Sequence, residues 1–170
     1  MSVLKEFDMK SFAIVLLGLL VQLPPIGKAD SEFDKKTDFA ALHTYSWVRG
    51  TDALVPEAHK MIVAAIDAEM AGLGFKQVES GADVTMTYYT LAITNVDLKA
   101  LDKAQRENKP SAANKELGKL IVVMRNPARQ QLWSAGTREY LDPDRSKFAT
   151  TIQGVTARLF ATYPTRASKK

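Results

Sequence analysis

Residues 82–95 read Ala82-Asp83-Val84-Thr85-Met86-Thr87-Tyr88-Tyr89-Thr90-Leu91-Ala92-Ile93-Thr94-Asn95, and their reading decides the fold class. Small, β-branched and aromatic residues alternate here with period two. Val84, Met86 and Tyr88 therefore share one face of a strand, and Thr85, Thr87 and Tyr89 share the other. Leu91 and Ile93 extend the second face, so its later half calls for cover or forms an apolar groove.

Working outward, residues 75–79 are short enough for an edge strand, closed by Ser80 and Gly81. Upstream, Ile62, Ala65, Ile66 and Met70 recur at spacings of three and four, which predicts an amphipathic helix. Pro56 suits its first turn, where no N–H is needed, and Gly72 and Gly74 end it. Lys60, Asp67 and Glu57 fall on the water side. Residues 43–48 form a first strand around Tyr45 and Trp47, ended by Gly50, Thr51 and Asp52. Residues 30–38 read as a loose polar lead-in.

Downstream, residues 97–119 are a long, highly charged connection with Pro110, allowing a short helix over 98–107. Residues 120–124 are a dense apolar strand, 125–128 a turn, and 131–140 a further strand carrying Trp133, Gly136 and Tyr140. Asp142 or Asp144 caps a last helix, whose stripe is Phe148, Ile152, Val155, Leu159 and Phe160. Pro164 stops it at Tyr163. The expected fold is α+β: a mainly antiparallel or mixed sheet of four to five strands, with two amphipathic helices on one face.

The first 29 residues have a different character. Lys5 and Lys10 precede an apolar run through Leu23, Pro24 and Pro25 break it, and Gly27-Lys28-Ala29 follows with small residues. That is the layout of a secretory signal peptide, and the run is short for a membrane span. The expected organisation is a leader over 1–29, one domain over 30–164 and a basic tail over 165–170. Cleavage lowers the formal net charge from +4 to +3, a value that keeps a protein soluble and says little about partners. There is no cysteine, which excludes disulfides, thiolate metal sites, a thiol nucleophile and a lipid-bearing cysteine. The expected location is therefore the periplasm, in soluble form with no transmembrane span after cleavage.

Candidate chemistry is sparse. His43 and His59 lack partners at metal-ligand spacing, and no serine sits in a GxSxG elbow. Gly72-Leu73-Gly74 and Gln153-Gly154-Val155 are too sparse for a phosphate-binding loop. Paired carboxylates can come from distant parts of a chain, so an envelope hydrolase using them stands as the alternative. No catalytic, metal-binding or cofactor-binding residue is assigned, and no cofactor is expected. Basic residues interleave with acids, which argues against nucleic acid as a partner. Tyr89, Leu91 and Ile93 mark a partner-binding face suited to an envelope protein, a lipid or a glycan.

Several stretches, taken in order, resemble the DUF4136 family. They are Asp38-Phe39-Ala40-Ala41-Leu42-His43-Thr44-Tyr45-Ser46-Trp47, then residues 66–75, residues 82–88, Leu132-Trp133-Ser134-Ala135-Gly136, and Phe160-Ala161-Thr162-Tyr163-Pro164. Members are mostly bacterial envelope proteins, often predicted lipoproteins, with an α/β fold and no assigned activity. The cysteine that accepts lipid in many of them is absent here, and His43 stands where Lys is common. The resemblance implies structural roles for Tyr45, Trp47, Gly72, Gly74, Trp133, Gly136, Tyr163 and Pro164. The leader, the lack of a catalytic constellation and the long polar connection point to a non-catalytic envelope protein that binds or scaffolds a component through its sheet face or residues 97–119; a purely structural, stress-related role is a further alternative.

Overall fold

The longest strand runs through the sheet where the alternation predicts it, and the rest of the chain is arranged around it. The computed structural model describes residues 26–48, 53, 56–96, 98–108, 114–142 and 144–167. Most of the expected leader, the turn residues 50–52, Pro110, Pro143 and the last three residues of the basic tail lie outside the described residues. In chain order the strands are β1 (Ala29–Phe33), β2 (Thr44–Trp47), β3 (Lys76–Gln77), β4 (Val84–Val96), β5 (Asn114–Arg125) and β6 (Gln131–Tyr140). The α-helices are α1 (Pro56–Gly72), α2 (Leu98–Arg106), α3 (Phe148–Phe160) and α4 (Pro164–Ala167).

The strands form one mixed sheet in the order β1-β6-β5-β4-β2-β3. β1, β6, β5 and β4 pair antiparallel, while β2 is parallel to both β4 and β3. Six strands replace the expected four to five. The extra one is β1, which takes the last residue of the expected leader, Ala29, and the first four residues of the stretch read as a loose lead-in. Its sequence, Ala-Asp-Ser-Glu-Phe, has no apolar alternation because it is an outer strand with one side open. Its pairing is carried by backbone, and Gly27 N–H and Lys28 C=O join it by bonding to Arg138 and Thr137 of β6.

The expected 97–119 connection also changes. β4 extends to Val96 and β5 starts at Asn114, in register from Thr85↔Arg125 to Val96↔Asn114. The short helix expected over 98–107 is α2, and the later part of the connection is strand, so β4 and β5 form a long hairpin arm. Lys99, Asp102, Lys103 and Arg106 lie on α2, and β5 before Leu117 runs beyond the reach of β6.

The core lies on one face of the sheet. Val84, Met86 and Tyr88 of β4, Leu120, Val122 and Met124 of β5, and Trp133 and Ala135 of β6 are buried against Ile62, Ile66 and Met70 of α1 and Val155, Leu159 and Phe160 of α3. Both long helices thus cover the same face, as the two stripes predict. Leu132 and Trp133 are consecutive yet both in this core. The β5–β6 register shifts between Met124 and Arg125, and such a bulge breaks the strict alternation locally.

α1 ends in a Schellman motif. Phe75 N–H bonds to Met70 C=O and Gly74 N–H to Ala71 C=O, with Gly74 at φ +90°. Gly72 has another reason to lack a side chain: an added Cβ would lie 3.1 Å from the Arg166 guanidinium. That guanidinium pairs with Glu69, tying α4 to α1. At Gly136, by contrast, a Cβ would meet only ordinary contacts, so no close backbone approach demands glycine there.

Two helix boundaries differ from expectation. α3 begins at Phe148 after a short 3₁₀ turn, and neither Asp142 nor Asp144 caps it. Asp144 instead accepts from the Ser146 N–H and hydroxyl one step earlier. α3 ends at Phe160, and Pro164 opens α4 rather than stopping α3 at Tyr163, consistent with proline's ease in a first helical turn. Tyr163 itself is buried among Phe39, Phe75 and Trp133, with ring centroids 5.4, 6.3 and 5.5 Å away.

Candidate functional site

Two places concentrate side chains with chemical potential: a polar–aromatic cluster under α1, and the sheet face that the helices leave alone. The cluster forms because Tyr45 and Trp47, two residues apart on β2, point toward α1 together. His59, Val63 and Asp67 recur every four residues along the helix and so share a stripe. Asp67 Oδ1 accepts the Tyr45 hydroxyl at 2.6 Å and the Trp47 indole N–H at 2.9 Å. The Trp47 ring packs edge-on to Tyr88 at 6.3 Å. The Tyr88 hydroxyl in turn accepts the Ala53 N–H and meets His59 Nδ1.

This arrangement corrects the placement of Asp67 on the water side. It is half-buried, because two donors on β2 satisfy the carboxylate in place of water. Burial, reinforced by the neighbouring Asp67, pushes the Tyr45 hydroxyl well above the usual tyrosine range. Tyr45 therefore stays protonated and keeps donating. The one sequence signal for this cluster is the i, i+8 pair His59 and Asp67 opposite two aromatics on a neighbouring strand.

On the other face, residues fall into rows across the sheet. One row runs Leu91, Lys119, Arg138; the next Tyr89, Ile121, Gly136, Asp30; the next Thr87, Val123, Ser134, Glu32. Thr87 and Val123 are buried, Tyr89 and Ile121 are half-buried, and Leu91 is 53 % exposed. Exposure thus rises along β4 toward the hairpin arm. The structure places Tyr89 and Leu91 on the face the alternation assigns them; the Ile93 side chain lies outside what is described. No described helix packs over these rows.

The carboxyl groups whose titration departs from the ordinary range all move downward. Asp83 accepts the His43 and Thr44 N–H groups and the Thr44 hydroxyl at 2.8–2.9 Å, and these bonds favour its charged form. Asp34 and Asp142 are lowered chiefly by the N–H groups of Lys36 and Asp144. These are loop-bracing carboxylates, unlike a general acid held protonated. A depression of about 280 Å³ between α1 and α3 is lined by Met61, four alanines, Gln153 and Glu69, the last already paired with Arg166. Among the described residues, no group of three or more His, Cys, Asp or Glu is placed to hold a metal ion. Among them, too, no helix is long and apolar enough to cross a membrane.

The architecture defines a two-layer α+β domain with one helix-covered sheet face. The chain belongs to the DUF4136 family, a domain of unknown function whose model matches residues 29–165. No curated protein matches the sequence. Among solved structures, the chain is similar to a PDZ domain protein from Parabacteroides distasonis, at 15 % identity and TM-score 0.58. That match covers 80 % of this chain but only 35 % of the other. It is also similar to PelC of Paraburkholderia phytofirmans, solved as a dodecamer, at 10 % identity and TM-score 0.52, covering 79 % of this chain and 97 % of that one. At such identities the likeness is one of fold.

Proposed function

We propose that this protein is a non-catalytic binding or scaffolding domain of the bacterial cell envelope, exported to the periplasm and contacting a partner through the sheet face around Tyr89 and Leu91. The observation that carries this reading is that the described helices cover one face of the sheet. α1 and α3 both pack on the Val84–Met86–Tyr88 side, while Tyr89, Ile121 and Leu91 lie under no described helix. An aromatic and two aliphatic side chains bordered by Lys119, Arg138, Asp30 and Glu32 suit a partner with an apolar body and polar groups, such as an envelope protein, a lipid or a glycan. The non-catalytic reading draws support from how the polar groups are used: Asp67, Tyr45 and Trp47 bond to one another across the helix–sheet joint, and Asp83 braces a loop. The cysteine-free chain and its apolar leader support release into the periplasm without a lipid tether.

The test is recovery of envelope components on immobilised protein, with bound lipids and proteins both identified. Replacing Tyr89 and Leu91 together by Ser should abolish capture while the circular dichroism spectrum stays unchanged. Equal capture by the folded double variant would remove this face from the function.

A further inference from the structure

We infer that the outer edge of β4 over residues 89–96 pairs with the same edge of a second copy of this chain, antiparallel about a two-fold axis. On one side β4 is paired with β5 throughout, from Thr85 to Val96. On the other, β2 is in register only with Val84, Thr85 and Met86, and Val48 N–H adds one bond to Met86 C=O. Beyond that point no described strand flanks β4. A ladder of about eight residues, some 27 Å at the usual rise, therefore offers its outward N–H and C=O groups.

The sequence of that edge is the second observation. Tyr89-Thr90-Leu91-Ala92-Ile93-Thr94-Asn95-Val96 contains no charge, no proline and no glycine. The other two edges of the sheet are guarded in ways that block pairing. β3 is two residues long and includes Lys76, and β1 carries Asp30 and Glu32 directly after Lys28. An unguarded edge on a sheet whose other edges are guarded is the signature of an edge that is meant to be paired.

The occupant follows from symmetry and charge. In a two-fold antiparallel pair, every residue of the segment faces another member of the same uncharged set, so no like charges oppose. Such an isologous contact also closes on itself: both copies use their exposed β4 edge and none is left over. Pairing β4 with β1 of another copy would instead leave one open edge at each end and propagate. The result is a continuous twelve-stranded sheet from two six-stranded ones. Leu91 and Ala92, both exposed in the single chain, would lie at the joint. The edge shares Tyr89 and Leu91 with the ligand-facing rows, but it uses their backbone groups, and its test reads self-association of the purified protein with no envelope component present.

Because the protein has no cysteine, single Cys variants report proximity cleanly. Ala92→Cys, near the middle of the edge, should form a disulfide-linked dimer under mild oxidation, whereas Ala157→Cys, exposed on α3, should not. Light scattering should give a dimer at about 100 micromolar, and the charged variants Leu91→Lys and Ala92→Lys should raise its dissociation constant at least about tenfold with unchanged circular dichroism. A monomer at that concentration would overturn the proposal. So would a dimer that the two lysine variants leave intact and that Ala92→Cys does not cross-link.

Discussion

Asp67 on α1 and Tyr45 on β2 are joined by a 2.6 Å hydrogen bond across the helix–sheet joint, and the same carboxylate oxygen also holds the Trp47 indole. One side chain thereby fixes both the azimuth of the helix and the depth at which β2 sits. Truncation to Asp67→Ala leaves two partly buried donors without an acceptor and should destabilise the fold by about 2–3 kcal/mol. Asp67→Asn keeps an acceptor oxygen and should lose less. Urea unfolding measures both, and a double-mutant cycle with Tyr45→Phe should reveal coupling between the two sites. Additive losses would mean that the hydrogen bond contributes nothing.

Gly74 and Gly72 should separate in their response to alanine. Gly74 sits at φ +90° with open space around its Cβ position, so Gly74→Ala carries a backbone penalty of about 1–2 kcal/mol. Gly72 has no such conformation; its added Cβ presses only on the end of the flexible Arg166 side chain. Gly72→Ala should therefore have the smaller effect on the denaturation midpoint. The reverse order would show that the Arg166–Glu69 pair matters more than the helix stop.

Stability should fall on acidification partly through Asp83. Bonds from His43, Thr44 and its hydroxyl hold this carboxyl below its ordinary value of 3.8, so the folded state favours the charged form more than the unfolded chain does. The contribution is fully present above pH 3.8 and drains away as pH falls through the lower folded value. Asp83→Asn should flatten the melting temperature against pH below about pH 4, where wild type declines more steeply. Parallel curves for the two proteins would contradict this account.

Thr156 offers a stabilising change. Its hydroxyl is buried on the core side of α3 with no hydrogen-bond partner among the described residues. A buried polar group without a partner is destabilising, and valine has nearly the same shape. Thr156→Val should raise stability by about 1 kcal/mol in denaturant unfolding. A loss of similar size would show that the hydroxyl is satisfied in solution.

Much of this architecture was legible residue by residue. Period-two runs located β4 and β6, three–four spacing located α1 and α3, and Gly74 marked the helix stop. Those signals are local: they depend on which face of a single element must leave water, and the chain spells that out within a few turns. β1 escaped notice because an edge strand is held by backbone bonds to β6, to which polar side chains such as Asp30 and Glu32 are indifferent. The first half of β5, residues 114–119, escaped for the same reason, since its pairing with β4 is carried by backbone.

The sequence by itself determined the core face, the absence of thiol chemistry and the family to which the chain belongs. Tertiary structure alone decided that Asp67 turns inward to Tyr45 and Trp47, that β1 joins the sheet beside β6, and that no described strand flanks β4 beyond Met86. Each of these depends on groups far apart in the chain meeting in space, such as Asp67 and Tyr45, 22 residues apart. A carboxylate reads as solvent-facing until the donors that replace its water are known.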